Sequence, residues 1–233
     1  MVVDPQLLVE AHEHDNGDAA KLLALLVYGR TCATAYGLRI REVDEIEATH
    51  GEKGLDATEL AALRSWAERA RDVAIARKAR LEEVFEQYTP DDLQLVVSTP
   101  LLEELVELAR ASQGSVYWHV KPDVVRRHTL RWTMKRVPKL GPAPRYLGPD
   151  RLYRREYLIH TAVVGEADSL ITGDSLLLLP GDAMHSDPTS RHEVRAYTLR
   201  DFIDDRLSAN NFRFSDIDAP AILRAAAADY GPE

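Results

Sequence analysis

The chain has 233 residues, 45% apolar and 29% charged, with 29 Lys and Arg against 38 Asp and Glu for a formal charge of −9. These are the proportions of one large globular domain, or one domain with a sizeable insertion, and they exclude a disordered or fibrous chain and a general polyanion binder. One cysteine, Cys32, excludes an intramolecular disulfide framework. The most apolar short run, Leu176 to Leu179, is far below the ~20 residues of a membrane span. Met1 to Asp4 has neither the basic nor the apolar region of a secretory leader, so the expectation is a soluble, cytoplasmic protein with no membrane contact.

Met1 to Val3 reads as a short buried strand, stopped by Asp4-Pro5 because proline cannot donate to a ladder. A helical turn over Leu7 to Ala11 follows. Asp18 can cap a helix with Ala19, Leu22, Leu23, Leu26 and Val27 on one face. Asp56 and Glu59 form a capping-box pattern ahead of a long helix. Its stripe runs Leu60, Leu63, Ala67, Ala70, Ala74, Arg77, Leu81, Val84, Tyr88, the seam of a helix packed along another helix. That seam suits either an internal hairpin with the helix around Val43 to Ala48 or an arm for a homodimer or partner. Gln94 to Val97 is a second strand, and Ser98 or Thr99 caps a helix with Leu101, Leu102, Leu105 and Leu108 inward. Pro138, Pro142, Pro144 and Pro149 mark a loop. A helix starts at Tyr153 or Glu156 and ends near Gly165. Ser169 to Thr172 is a third strand, ending in Gly173-Asp174, and Glu193 to Thr198 a fourth, after which Thr198 caps a helix. Pro220 to Asp229 is an alanine-rich docked tail. Strands alternating with helices indicate an α/β domain with a parallel sheet.

Charge is segregated along the chain. Lys121 to Arg155 holds eleven Lys or Arg against Asp123 and Asp150, a net +9, so the remainder carries −18. Tyr117, Trp118, Trp132, Tyr146 and Tyr153 are interleaved with the cations or flank them. Basic side chains neutralise phosphates, and aromatic or guanidinium planes stack on unpaired bases. Arg126, Arg127, Arg131, Trp132, Lys135 and Arg136 are therefore candidate nucleic-acid contacts, against the plainer reading of a solvated face paired with the acidic remainder.

In an open parallel sheet, sites form outside the carboxyl ends of the strands. Asp4 follows the first strand and Asp174 the third. Glu104 lies in the first turns of the helix after the second strand, and Glu156 at the start of the helix before the third. Four carboxylates gathered on one edge repel unless a cation joins them, and one or two Mg²⁺ or Mn²⁺ ions are the usual solution. Such a site activates water against a phosphodiester. Singly, each acid also suits a turn, a cap or a solvated helix face. His12 and His14, close to Asp4, suit a transition-metal site or a proton shuttle but fit a polar loop before the Asp18 helix better. Cys32 and Ser169 match no catalytic pattern, and all four are set aside.

Four stretches resemble the PIN-domain family. Ala167-Asp168-Ser169-Leu170-Ile171-Thr172-Gly173-Asp174 resembles its strand followed by Thr-Gly-Asp, and Val194 to Phe202 its last strand and final helix. Leu95 to Leu105 resembles the second strand and the helix carrying its glutamate, and Val2 to Val9 the opening strand with the first aspartate. The resemblance covers about half of the chain and is closest to the toxin-like bacterial PIN ribonucleases, which are metal-dependent and commonly paired with an antitoxin. It implies a three-layer α/β/α domain spanning 1–233, with a short central parallel sheet, a helical insertion at 28–93 and a basic Pro-rich insertion at 121–155. It also implies an endoribonuclease with Asp4, Glu104, Glu156 and Asp174 as catalytic metal ligands.

The chain departs from that family in four ways. Asp4-Pro5-Gln6 stands in place of Asp-Thr-Asn, and Leu176 where a second acid commonly follows Thr-Gly-Asp. The two insertions are additional. Eighteen residues before Asp174 lies Glu156, whereas a shift of one residue brings Arg155 to the site. If Glu156 points into the cluster, the metal chemistry is feasible. If Arg155 does, its guanidinium takes the cation's place, and the alternative is a catalytically degenerate PIN-like domain that binds RNA or a protein partner.

Overall fold

A computed structural model describes residues 1–14, 16–51, 55–87, 93–112, 125–126, 129–130, 133–137, 139–141, 154–180, 183–186, 192–207, 214 and 217–228. Three short apolar segments make its centre: β1 (Val2–Val3), β2 (Leu95–Ser98) and β4 (Ser169–Ile171). Every residue in them is buried. Because strand side chains alternate between faces, both faces of this sheet are covered. That is why these strands read as unbroken apolar runs instead of alternating patterns.

β1 pairs in parallel with β4, Val2 opposite Leu170 and Val3 opposite Ile171. β4 pairs in parallel with β6 (Glu193–Tyr197), and the short β5 (His185–Ser186) closes that edge antiparallel to β6. On the other side, β2 pairs in parallel with β3 (Thr133–Val137), and Val96 N donates to Met1 O at 2.9 Å. The strands form two sheets, β1-β4-β6-β5 and β2-β3, set side by side at β1 and β2 by that bond. The chain moves outward from β1 to β3, returns to β4 on the other flank of β1, and continues to β6. The reversal falls between β1 and β4, and the crevice at their carboxyl ends is where an open α/β sheet places its ligands.

The α/β class expected from the sequence is observed, with two strands added. β3 lies within the basic segment, where Lys135 and Arg136 mask a strand pattern that rests on Met134 and Val137, and Pro138 follows its end. β5 has two residues, too few for any periodicity. Most of 121–155 beyond these elements lies outside the described residues.

The helices follow their capping residues. Asp4 caps α1 (Pro5–Glu13): its Oδ1 accepts from Gln6 N at 2.9 Å, with Pro5 in the first turn. The expected turn at Leu7 to Ala11 is part of this longer helix. α2 (Asp18–Gly51) is continuous. Its first two turns bury Leu22 and Leu23 in the core, and its far end runs beside α3 (Ala57–Gln87). The Asp56 and Glu59 capping box forms, with Thr58 N and Glu59 N donating to Asp56 Oδ1 and Asp56 N to Glu59 Oε2. Ala67 and Ala74 of the α3 stripe are buried, and Arg71 bonds Asp44 and Glu47 of α2. The internal hairpin is therefore observed. Arg77, the break in the stripe, sits 3.6 Å from Asp218. Asp218 precedes α7 (Ala219–Ala228), the alanine-rich helix, which packs on α2. No helix among the described residues is long and apolar enough to cross a membrane.

α4 (Thr99–Ser112) follows β2, and α5 (Tyr157–Val164) lies against β1, β2, β4 and β6. α6 (Leu199–Phe202) is capped by Thr198, whose Oγ1 accepts from Asp201 N at 3.1 Å, and runs into a π-turn over Ile203–Leu207. α5 ends at Gly165, where a Cβ would fall 2.4 Å from Val96 Cγ1 and 2.7 Å from Thr161 O. No side chain fits there without the helix leaving β2. At Gly173, in contrast, nothing lies within 4 Å of an added Cβ. Gly165→Ala is therefore expected to cost about 1–3 kcal/mol of stability by overpacking, and Gly173→Ala under about 0.5 kcal/mol. Urea unfolding of the two variants checks this; equal midpoints would show that α5 can move away.

Candidate active site

Asp4 N donates to Ile171 O at 2.8 Å, so the β1–β4 ladder carries the aspartate to the carboxyl edge. On the neighbouring strand Thr172 N donates to Tyr197 O at 2.9 Å and holds the Thr-Gly-Asp turn there. Thr172 Oγ1 then serves two groups: it donates to Asp4 Oδ2 at 2.5 Å and accepts from Asp174 N at 3.0 Å. Asp4 is fully buried, and Asp174 and Glu104 are partly so. Glu104 arrives from the second turn of α4 and accepts a hydrogen bond from the Tyr157 hydroxyl at the start of α5. Three of the four carboxylates expected from the sequence therefore meet at the switch point.

The fourth group is Arg155. A 3₁₀ turn over Arg154–Glu156 leads into α5 and points the Arg155 guanidinium between the three acids. Nη2 lies 2.5 Å from Asp4 Oδ1, Nε 3.0 Å from Glu104 Oε1 and Nη1 3.2 Å from Asp174 Oδ2. One planar cation faces three carboxylates from three segments, a task suited to the fixed fork of arginine. Burial opposes the charge on Arg155. The hydrogen bond to Asp4 and the fields of Asp4 and Glu104 outweigh it and hold its pKa above the ordinary value. Burial and the bond to Glu104 likewise raise the Tyr157 pKa, so the phenol keeps its proton.

The placement of Glu156 in the cluster is corrected here. Its side chain is 6% exposed, and its charge acts on His185, whose pKa it raises against the larger lowering by burial. Successive residues of a 3₁₀ turn project about 120° apart, so the turn that aims Arg155 inward carries Glu156 elsewhere. Spacing in the sequence cannot resolve a one-residue difference of this kind. Thr172 was visible as part of Thr-Gly-Asp; Tyr157 left no signal in the sequence.

All six carboxylate oxygens of the cluster face a protein donor or the guanidinium. Asp4 Oδ1 meets Gln6 N and Arg155, and Oδ2 meets Thr172. Glu104 Oε1 meets Arg155, and Oε2 meets Tyr157. Asp174 Oδ2 meets Arg155, and Oδ1 accepts from Leu176 N at 3.0 Å. The two surplus negative charges are thus spread over hydroxyls and backbone N–H groups. A hard divalent ion needs several of these oxygens turned to one point, and that point holds the guanidinium. The donor set as arranged does not fit Mg²⁺ or Mn²⁺. Among the described residues, no group of three His, Cys, Asp or Glu is arranged to hold a metal ion.

The candidate nucleic-acid residues divide. Arg126 and Arg136 are exposed; Lys135 is bound to Glu166 at 2.6 Å; Arg127, Arg131 and Trp132 lie outside the described residues. Arg136 shares a cleft with Arg110 of α4, which gives no signal in the sequence beside the regular leucine face of that helix. His12 and His14 lie at the end of α1, and the His14 backbone N–H closes that helix. Comparison of the chain with protein-family models, curated proteins and solved structures found no match.

Two outcomes test this site. Removing one partner of a buried ion cluster leaves charge uncompensated, so Arg155→Met is expected to lose about 3–5 kcal/mol in urea unfolding. A loss under about 1 kcal/mol would mean that the acids rearrange to reach water. The second concerns His185, which is 3% exposed, with Nε2 2.7 Å from Leu177 O. Its pKa is lowered from 6.5. Below pH 6.5 the unfolded chain therefore binds a proton that the folded chain resists, and stability falls as pH falls. His185→Gln, which keeps a donor for Leu177, should show a shallower loss of urea midpoint than wild type on acidification from neutrality; parallel curves would remove His185 as the cause.

Proposed function

We propose that this chain is a PIN-like domain whose cation place is held by its own Arg155, and that it binds single-stranded nucleic acid without cleaving it. The observation that carries the reading is the contact of one guanidinium with Asp4, Glu104 and Asp174, with five of their six oxygens hydrogen-bonded and the sixth, Glu104 Oε1, 3.0 Å from Arg155 Nε. The strand order supports the PIN-like part, because it gathers acids after β1 and β4 at the switch point. The +9 segment with its interleaved aromatics, and the exposure of Arg126 and Arg136, support the nucleic-acid part. Water activation by Mg²⁺ or Mn²⁺, as the nuclease reading requires, would first have to displace a partly buried, three-fold paired cation from this site.

Calorimetric titration with Mn²⁺ and Mg²⁺ tests the metal half. Wild type is expected to give no saturable binding in the micromolar-to-millimolar range, and Arg155→Ala, once its fold is verified by circular dichroism, to gain a site that Asp174→Asn removes again. Saturable binding by wild type that is lost in Asp174→Asn would restore the nuclease reading. Binding of a labelled single-stranded RNA in the presence of a chelator tests the other half; it is expected to persist with the RNA intact.

A further inference from the structure

The outer face of α4 carries a stripe distinct from the leucines that face the core. Thr99, Glu103, Val106 and Arg110 recur at three- and four-residue spacing, with Glu107 beside them. Arg136, on β3, and Arg126 stand across from this stripe, and together they line a cleft of about 320 Å³. Arg110, Arg126 and Arg136 are all exposed, and no ion pair joins any of them to another described residue. Three like charges around one cavity draw an anion to it.

The cleft also has its own acids. Glu103 and Glu107 line it, and Glu107 lies 3.4 Å from Arg154. Three guanidiniums against two carboxylates, one of which is shared with Arg154, leave an excess of positive charge. That excess suits a phosphodiester backbone, which carries one negative charge per unit. The volume lies at the lower end of the ~300–1,000 Å³ range of ligand pockets, enough for a backbone unit but not for a folded partner. The cleft also adjoins the carboxylate cage: Glu104 and Glu107 are one turn apart on α4, and Arg154 and Arg155 are consecutive.

We propose that the cleft between α4 and β3, with Arg110, Arg126 and Arg136, is the docking site for the phosphodiester backbone of a single-stranded nucleic acid. This rests on the nucleic-acid reading given above and assigns the site of it. Arg110 is the decisive member, because it lies outside the basic segment and belongs to the site only if the cleft does. The arginines position the strand through its backbone, so binding is insensitive to base identity.

Fluorescence anisotropy with a labelled oligouridylate of about twelve nucleotides, within the span of known single-strand sites, tests the assignment on the full chain. Arg110→Ala and Arg136→Ala combined are expected to weaken binding by roughly tenfold or more and to reduce the slope of log K against log salt by about 1.4, two contacts at ~0.7 each. Arg200→Ala, a 91% exposed arginine elsewhere, removes one charge as a control and is expected to leave affinity and slope nearly unchanged. Wild-type binding with an unchanged slope in the double variant would overturn the cleft and leave the nucleic-acid reading intact. Absence of wild-type binding would overturn that reading itself. Displacement of the oligonucleotide by millimolar inorganic phosphate at constant ionic strength would assign the cleft to a free anion and overturn the polymer.

Discussion

Four otherwise separate parts of the chain are tied together by one guanidinium. Asp4 ends β1, Asp174 follows β4, Glu104 belongs to α4, and Arg155 precedes α5. Without a cation at their meeting point the three acids would repel at short range in a partly dry site, and the switch-point crevice would be pushed open. Arg155 reverses the sign of that interaction. It lets Asp4, fully buried, cap α1 and accept from Thr172 at the same time. The carboxyl edge of the sheet is closed by electrostatics where the strands themselves are too short to close it by packing.

An arginine and a divalent ion solve the same repulsion with different consequences. Both neutralise, and both fix the orientation of several carboxylates. A metal ion keeps coordination positions for water and a phosphate oxygen, which is the source of its chemistry. A guanidinium cannot give up its proton, offers only donors, and presents no open position. The arrangement can therefore hold a fold together at the switch point of the sheet.

Much of the fold was legible because its signals are local. Val2-Val3, Leu95 to Val97 and Ser169 to Ile171 are buried on both faces, so their apolar runs identify them without a partner. Asp56 with Glu59, and Thr198 with Asp201, cap their helices through bonds spanning three residues, which spacing alone predicts. What could not be read depends on direction and not on composition. Arg155 and Glu156 are neighbours, and only the 3₁₀ turn decides which faces the cage. β3 was hidden because an edge strand tolerates Lys135 and Arg136, and a basic run with Pro138 looks like loop. Arg110 was hidden for the opposite reason: the leucine stripe accounts for α4 by itself, and one exposed arginine on the outer face adds no signal to it.

These hidden features share one location. α4 presents Glu104 to the cage on one side and Arg110 to the cleft on the other, and Glu107 with Arg154 lies between them. The cage keeps an excess of negative charge, so a polyanion is repelled from it. The cleft has an excess of positive charge, so the same polyanion is drawn to it. The two fields therefore have opposite signs. They oppose each other across the width of one helix. On the reading proposed above, a backbone captured by the arginines is held away from the carboxylates, and the charge pattern itself separates binding from cleavage.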